Sequence, residues 1–211
     1  RVGAASRAGG ASRVTPAAAL GVLLALTAAD GGAVVVVPPE GPGGSSSGWI
    51  GAAVAEALPR ALQRAGVPAV PASARRRAQE ALGVPSPGAT RATAIRVAES
   101  LGATRLVVGS WELRGVDLSL SLRLLDARRG SLSAPLVATG PLEGLGRAIH
   151  GLAWDVALAG PPAPGGTRDG LVRAADAVPF AAMRALGEGL AARDAAARTA
   201  GARRALALHP G

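Results

Sequence analysis

The order of apolar and polar positions predicts strands in the central part of this chain. Residues 33–37 (AVVVV) form an unbroken and mostly β-branched run, which is typical of a buried strand. In residues 116–125, Leu118, Leu120, Leu122 and Leu124 alternate with polar positions, which indicates a strand with one buried face. Three more strands are predicted over 67–70, 105–113 and 132–138. Because prolines flank residues 67–70, that strand is expected at an edge.

Helical periodicity separates these strands. Helices are predicted over 49–64, 73–81, 90–101 and 141–158. Ser47 is the expected N-cap of the first helix, and Pro59 is expected to kink or split it. Thr90 is the expected cap of the third helix. The order β-α-β-α-α-β-β-β-α predicts an α/β fold over residues 31–159, a mixed sheet of about five strands with packed helices.

Residues 1–30 are predicted to be a signal-peptide-like leader. Spaced arginines precede a short apolar run at 17–26, and small residues follow it at 27–29. The run is shorter than the roughly 20 residues that span a bilayer. We therefore expect the protein to be exported. A buried or amphipathic first helix is the alternative.

The last fifty residues are predicted to be a linker and a helical hairpin. Glycine and proline dominate residues 160–166 (GPPAPGG), so residues 160–178 are interpreted as a linker. Two helices follow, over 180–192 and 195–208, within a hairpin of residues 179–211. Since one hairpin buries little by itself, this hairpin is expected to be the truncated start of a longer helical array.

Composition excludes several kinds of chemistry. All 23 basic residues are arginine, lysine, cysteine and tyrosine are absent, and there are only two histidines. These absences remove Schiff-base lysines, thiol nucleophiles and cysteine-based metal clusters. The formal charge of +9 goes with an aromatic content of only 2%, which leaves little for base stacking. No cofactor, metal, small-molecule substrate or nucleic-acid partner is expected.

One segment matches a catalytic pattern. Residues 44–48 (GSSSG) fit G-x-S-x-G, with Ser46 as nucleophile, and Asp117 or Asp126 with His150 would complete a triad. The alternatives are a solvated loop and an anion site at the start of the following helix.

The binding residues proposed from sequence lie on two helices. Arg75, Arg76 and Arg77 form the densest charge run, suited to an acidic partner or to acidic lipid headgroups at a membrane surface; the alternative is a solvated helix face. Met183, Leu186 and Leu190 in the first tail helix are the corresponding apolar candidates. The edge near residues 67–70 and the concave side of the tail are the expected docking surfaces.

Residues 33–158 resemble the TolB amino-terminal-like domain and the related FlgO-type and CsgG-type envelope proteins. The resemblance is carried by VVVVPPEG, SGWIGAAVAEAL and LSLRLLDARRG, and above all by residues 94–113, where a helix, Gly-Ala and a strand with VVGS follow one another. Pro38-Pro39-Glu40-Gly41 departs from the family's usual Phe-Glu-Asn-type segment. The tail resembles a degenerate tetratricopeptide hairpin, in which Leu190 replaces the usual aromatic residue. The resemblance implies a location in the periplasm or cell envelope of a bacterium and protein–protein contacts, with no catalytic residues to carry over.

The sequence thus predicts a non-enzymatic exported bacterial protein that acts as a protein-interaction scaffold. Two alternatives stay open. One is the sensory module of a cyclase-type or transcriptional regulator, and the other is a serine hydrolase at the Gly44–Gly48 loop.

Overall fold

The computed structural model describes residues 32–42, 47–84, 90–160 and 164–210. The predicted leader lies outside these ranges, as do residues 43–46 of the serine-rich loop. In the described residues the strands are β1 (Val34–Val36), β2 (Arg105–Arg114), β3 (Asp117–Asp126) and β4 (Leu136–Pro141). The helices are α1 (Trp49–Arg64), α2 (Ala72–Ala81), α3 (Arg91–Ser100), α4 (Leu145–Leu158), α5 (Arg168–Arg173), α6 (Phe180–Ala191) and α7 (Ala195–Leu208).

The four strands form one mixed sheet in the order β1-β2-β3-β4, which confirms the predicted α/β fold. The β1 and β2 strands are parallel, whereas β3 pairs antiparallel with β2 on one side and with β4 on the other. The tight turn between β2 and β3 contains Gly115 at φ +63°, in the left-handed region that glycine tolerates best.

The predicted strand at residues 67–70 is reduced to a single bridge. Ala69 pairs with Val34, held by a hydrogen bond from the Val34 N–H to the Pro68 carbonyl (2.8 Å) and one from the Val70 N–H to the Val34 carbonyl (2.9 Å). Proline has no N–H to extend the ladder, and a second proline follows at Pro71. The Ala69 carbonyl accepts a hydrogen bond from the Gln63 side chain (2.8 Å). This edge is therefore partly capped, which makes it a poorer docking strand than the sequence suggested.

The leucines of β3 form the centre of the main core. Leu120 and Leu122 are completely or almost completely buried beneath α1 and α4, as the alternation predicted. Among the described residues, the opposite face of the sheet is covered at one end, where α3 packs Ala94 and Ala98 over Leu106 and Leu125. The rest of that face is mostly polar and partly or fully exposed, with Ser110, Ser119, Ser121 and Arg123. Val137 of β4, which pairs with Ser121, is an apolar exception and is 54% exposed.

Two local expectations need correction. The N-cap of α1 is Gly48, which has no side chain to cap with, and Ser47 contributes only its carbonyl to the Ile50 N–H (3.0 Å). Pro59 does not split α1, which runs unbroken to Arg64. Thr90 does cap α3, accepting a hydrogen bond from the Thr93 N–H (3.3 Å).

The tail packs against the α/β domain. The segment predicted as a linker contains helix α5 and a 3-10 turn at Ala174–Ala177. Leu171 and Ala175 of this segment are buried. Its Asp176 forms an ion pair with Arg147 of α4 (2.7 Å). Helix α6 then lies on α1, where Phe180 meets Trp49 edge-to-face at 6.0 Å between ring centroids. The hairpin is therefore attached to the domain through apolar contacts.

Candidate functional site

The arginine run separates into three environments because α2 turns about 100° per residue. Arg75 lies on the inner face of the helix with Ala72 and Gln79, and all three are buried. Arg76 is half-buried at the edge of this inner face, and Arg77 is exposed. Only part of the predicted site is thus a solvated surface.

Arg75 is a buried cation with few hydrogen bonds. Its residue is 6% exposed, its Nη1 donates a long hydrogen bond to Gln79 Oε1 (3.4 Å), and its buried Nε has no partner among the described residues. Burial, and then the nearby charge of Arg76, lower the pKa of Arg75 to about 10, while Glu56 opposes the shift. The guanidinium remains charged at neutral pH, although its environment disfavours the charge.

Glu56 of α1 neutralises part of this cluster. Its carboxylate accepts a charge-assisted hydrogen bond from Arg76 Nη1 (2.6 Å) and lies 3.8 Å from Arg60 Nη2. Glu56 and Arg60 were not among the residues predicted from the sequence. Their signal is weak, since it consists only of an i,i+4 pair on the polar side of a helix.

A small cavity lies between α1 and α2 beside these charges. Its volume is about 120 Å³, and we call it the arginine cleft; it is lined by Glu56, Pro59, Arg60, Gln63, Pro71, Ala72 and Ser73. Pro71 is the N-cap residue of α2. The lining of the cleft combines the Arg60 guanidinium, the Gln63 amide and the Ser73 hydroxyl with the Glu56 carboxylate, so its two charges cancel.

The three apolar candidates of the tail do not form one surface. Met183 is 8% exposed, belongs to the main core and reaches Gly146 of α4, so it is not available to a partner in this fold. Leu186 and Leu190 are half-buried. The physical reason is that α6 uses this side of the helix to pack on α1.

The exposed apolar surface of the tail lies on α7 instead. Alanine and leucine are distributed all round this helix, yet Gly201 is its only buried residue. Leu206 is 62% exposed and Leu208 is 45% exposed. Arg198, Arg203 and Arg204 lie between these apolar positions, and among the described elements α6 is the one that packs extensively on α7.

His150 is a structural residue in α4. Its Nδ1 lies 2.9 Å from the Gly146 carbonyl and its Nε2 lies 3.3 Å from Arg64 Nη1, so both ring nitrogens have partners. Burial first, and then the Arg64 charge, lower the pKa of His150, which favours the neutral ring.

Ser46 of the proposed triad lies outside the described residues, and His150 and Asp126 have other partners. His150 contacts Arg64 in the last turn of α1. Asp126 is occupied in a turn, where its Oδ1 accepts hydrogen bonds from the Arg128 and Arg129 N–H groups (both 2.9 Å).

A second and wider trough opens at the end of the sheet. It has a volume of about 510 Å³ and is lined by residues of β2, β3 and β4, including Glu112, Arg114, Asp117 and Thr139. Arg114 and Glu112 pair with each other through two contacts (3.0 and 3.2 Å). No group of three or more histidine, cysteine or acidic residues positioned to hold a metal ion occurs in the described part of the chain.

None of the helices in the described ranges combines the length and apolar character required to cross a membrane.

The fold is that of a mixed α/β domain with a helical tail. No family model matches the sequence, and no curated protein matches it. Solved structures with a similar arrangement include the LpoB C-terminal domain from Escherichia coli (23% identity, 52% of this chain and 82% of that one, TM-score 0.42). Others are the LpoB C-terminal domain from Salmonella enterica (18% identity, 53% and 83%, TM-score 0.38) and lipoprotein GNA1162 from Neisseria meningitidis (22% identity, 52% and 80%, TM-score 0.41).

Proposed function

We propose that this protein is a non-enzymatic, exported bacterial envelope protein that acts as a scaffold for protein–protein contacts. In this proposal the α/β domain is a rigid base and the α6–α7 hairpin presents the main partner surface. The TolB-like and tetratricopeptide resemblances remain predictions within it, and the export step rests on the leader pattern of residues 1–29.

The observation that carries the proposal is the exposure of Leu206 and Leu208 at the end of α7. The hairpin is held on the domain by the Trp49–Phe180 contact and by Arg184, whose guanidinium lies 5.8 Å from the Trp49 ring centroid. The end of α7, with Leu206 and Leu208, therefore has a fixed position relative to the sheet. Exposed apolar side chains on a rigid helix are typical of surfaces that receive another helix.

Site-specific photo-crosslinking in the native host tests this proposal. A photoreactive amino acid at Leu206 should give a discrete crosslinked protein, located in the envelope fraction. The same amino acid at Val116, which is 73% exposed in the β2–β3 turn far along the chain from the tail, is the matched control. Equal crosslinking at both positions, or a cytoplasmic chain that retains its leader, would contradict the proposal.

A further inference from the structure

The strand β4 forms one edge of the sheet, and its outer side is open among the described elements. Its neighbours are β3, which pairs with it, and α4, which packs over one of its faces. Edge strands are commonly protected by charged side chains, by proline or by a covering segment. Residues 131–142 contain no charged side chain, and their prolines are Pro135 and Pro141. The residues between these prolines therefore keep a main-chain edge that can form hydrogen bonds.

The hydrogen-bond pattern shows which main-chain groups of β4 point outward. The Leu142 N–H donates to the Val116 carbonyl (2.8 Å), and the antiparallel register places a bonded pair of the same kind at every second residue. The even-numbered residues of β4 are therefore bonded to β3. The N–H and C=O groups of Val137 and Thr139 point away from the sheet, on the side where no described strand pairs with β4.

We propose that β4 pairs with β4 of a second copy of this chain, antiparallel about a two-fold axis at Ala138. In this register Val137 of each copy lies opposite Thr139 of the other. Each facing pair exchanges two hydrogen bonds, so all four outward N–H groups find a carbonyl acceptor. Pro135 lies opposite Pro141 of the second copy, where neither residue has an N–H that needs a partner. This self-association is independent of the proposed scaffold function.

The order of residues in β4 favours a second copy over an unrelated strand. A pair about a two-fold axis needs a strand that presents the same pattern from either end. Around Ala138, an outward donor stands one residue away on each side and a proline stands three residues away on each side. The opposite edge of the sheet is partly capped at Ala69. Pairing through β4 therefore uses one edge of each chain and closes as a dimer.

The side chains on both faces of β4 fit this pairing. Val137 is 54% exposed on the open face of the sheet. In the dimer it lies beside Thr139 of the second copy, and side-chain contacts across an antiparallel pair stabilise the strands. On the other face Ala138 lies opposite Ala138 of the second copy. This facing pair exchanges no hydrogen bonds, so its backbones approach closely and a small side chain is required.

Sedimentation equilibrium of the full chain over a range of concentrations tests the proposal. The unaltered protein should convert from monomer to dimer and form nothing larger. Thr139→Pro removes an outward N–H and leaves the bonds to β3 in place, as proline on an edge strand can. It should weaken the dimer by about tenfold or more, because two of the four hydrogen bonds between the copies are lost.

The matched control is Thr139→Val, which keeps the N–H and the branched side chain. This variant should dimerise as the unaltered protein does. An unaltered protein that stays monomeric at every concentration would overturn the proposal, and so would equal association of the two variants.

Disulfide crosslinking tests the register, because the chain contains no cysteine. In Ala138→Cys the two new residues face each other with Cα atoms about 4.5 Å apart, within the range of a disulfide. In Thr139→Cys they are offset by two residues on each strand, with Cα atoms about 9 Å apart, which is too far. Mild oxidation should link the first variant into dimers and leave the second mainly unlinked. Equal or reversed crosslinking would overturn the proposal.

Discussion

The crossing of α6 and α7 gives the sharpest stability prediction. At this crossing Gly189 and Gly201 bring the two backbones into contact. A Cβ added at Gly201 would lie 2.5 Å from the Gly189 Cα and 2.9 Å from the Ala185 carbonyl oxygen. Both of these are backbone atoms, which cannot turn aside as a side chain can. The substitution Gly201→Ala therefore requires the two helices to move apart.

Two effects of opposite sign compete in this substitution. Alanine is favoured over glycine inside a helix by about 1 kcal/mol. Against that gain, carbon atoms prefer separations of roughly 3.5–4.0 Å, so the helices must separate by about 1 Å and lose contacts along their length. Overpacking of this kind costs about 1–3 kcal/mol. We expect a net loss of about 1 kcal/mol and a Tm lowered by about 2–4 °C for a chain of this size.

Urea denaturation and amide hydrogen exchange of α7 measure this loss. The control is Gly146→Ala in α4, where the added Cβ would meet the flexible end of Met183 at 3.3 Å. That variant should be unchanged or slightly more stable. If Gly201→Ala were instead stabilised to the same extent as Gly146→Ala, helix propensity would dominate, and the close approach of α6 and α7 would be refuted.

Three further predictions concern the core and the charged residues. Leu58→Ala, at a completely buried position in α1, should lower the free energy of unfolding in urea by about 2–5 kcal/mol through the cavity it leaves; a loss below about 1 kcal/mol would contradict the core as described. Because the pKa of His150 is lowered from 6.5 in the fold, its contribution to stability is complete above that pH and is lost as the pH falls through the folded pKa. His150→Gln should therefore show a smaller drop in urea midpoint than the unaltered protein between about pH 7.5 and pH 5, and an unchanged drop would assign that pH dependence to other groups. Arg75→Met should leave the urea midpoint unchanged or raised, because it removes a buried charge whose Nε has no partner in the described part of the chain. A clearly lowered midpoint would show that Arg75 stabilises the fold.

Local signals in the sequence were sufficient for most of the secondary structure. The alternating leucines of β3 and the cap at Thr90 both act over a few residues, so their effects can be recognised without knowing the fold. The predicted bounds of α1 and α7 agree with the structure for the same reason. The strand at residues 67–70 was overestimated, because the prolines that mark an edge also remove the hydrogen bonds that would extend it.

The candidate site depended on tertiary structure. Glu56 and Arg76 are 20 positions apart, and only the packing of α2 beside α1 brings them to 2.6 Å. The sequence grouped Arg75, Arg76 and Arg77 as one patch, but helical geometry buries the first and exposes the last. Met183 was predicted from the sequence to contact a partner, but it is part of the core because α6 lies on α1. Periodicity determines which face of a helix is apolar, whereas the neighbour that covers this face depends on long-range packing, which no local pattern specifies.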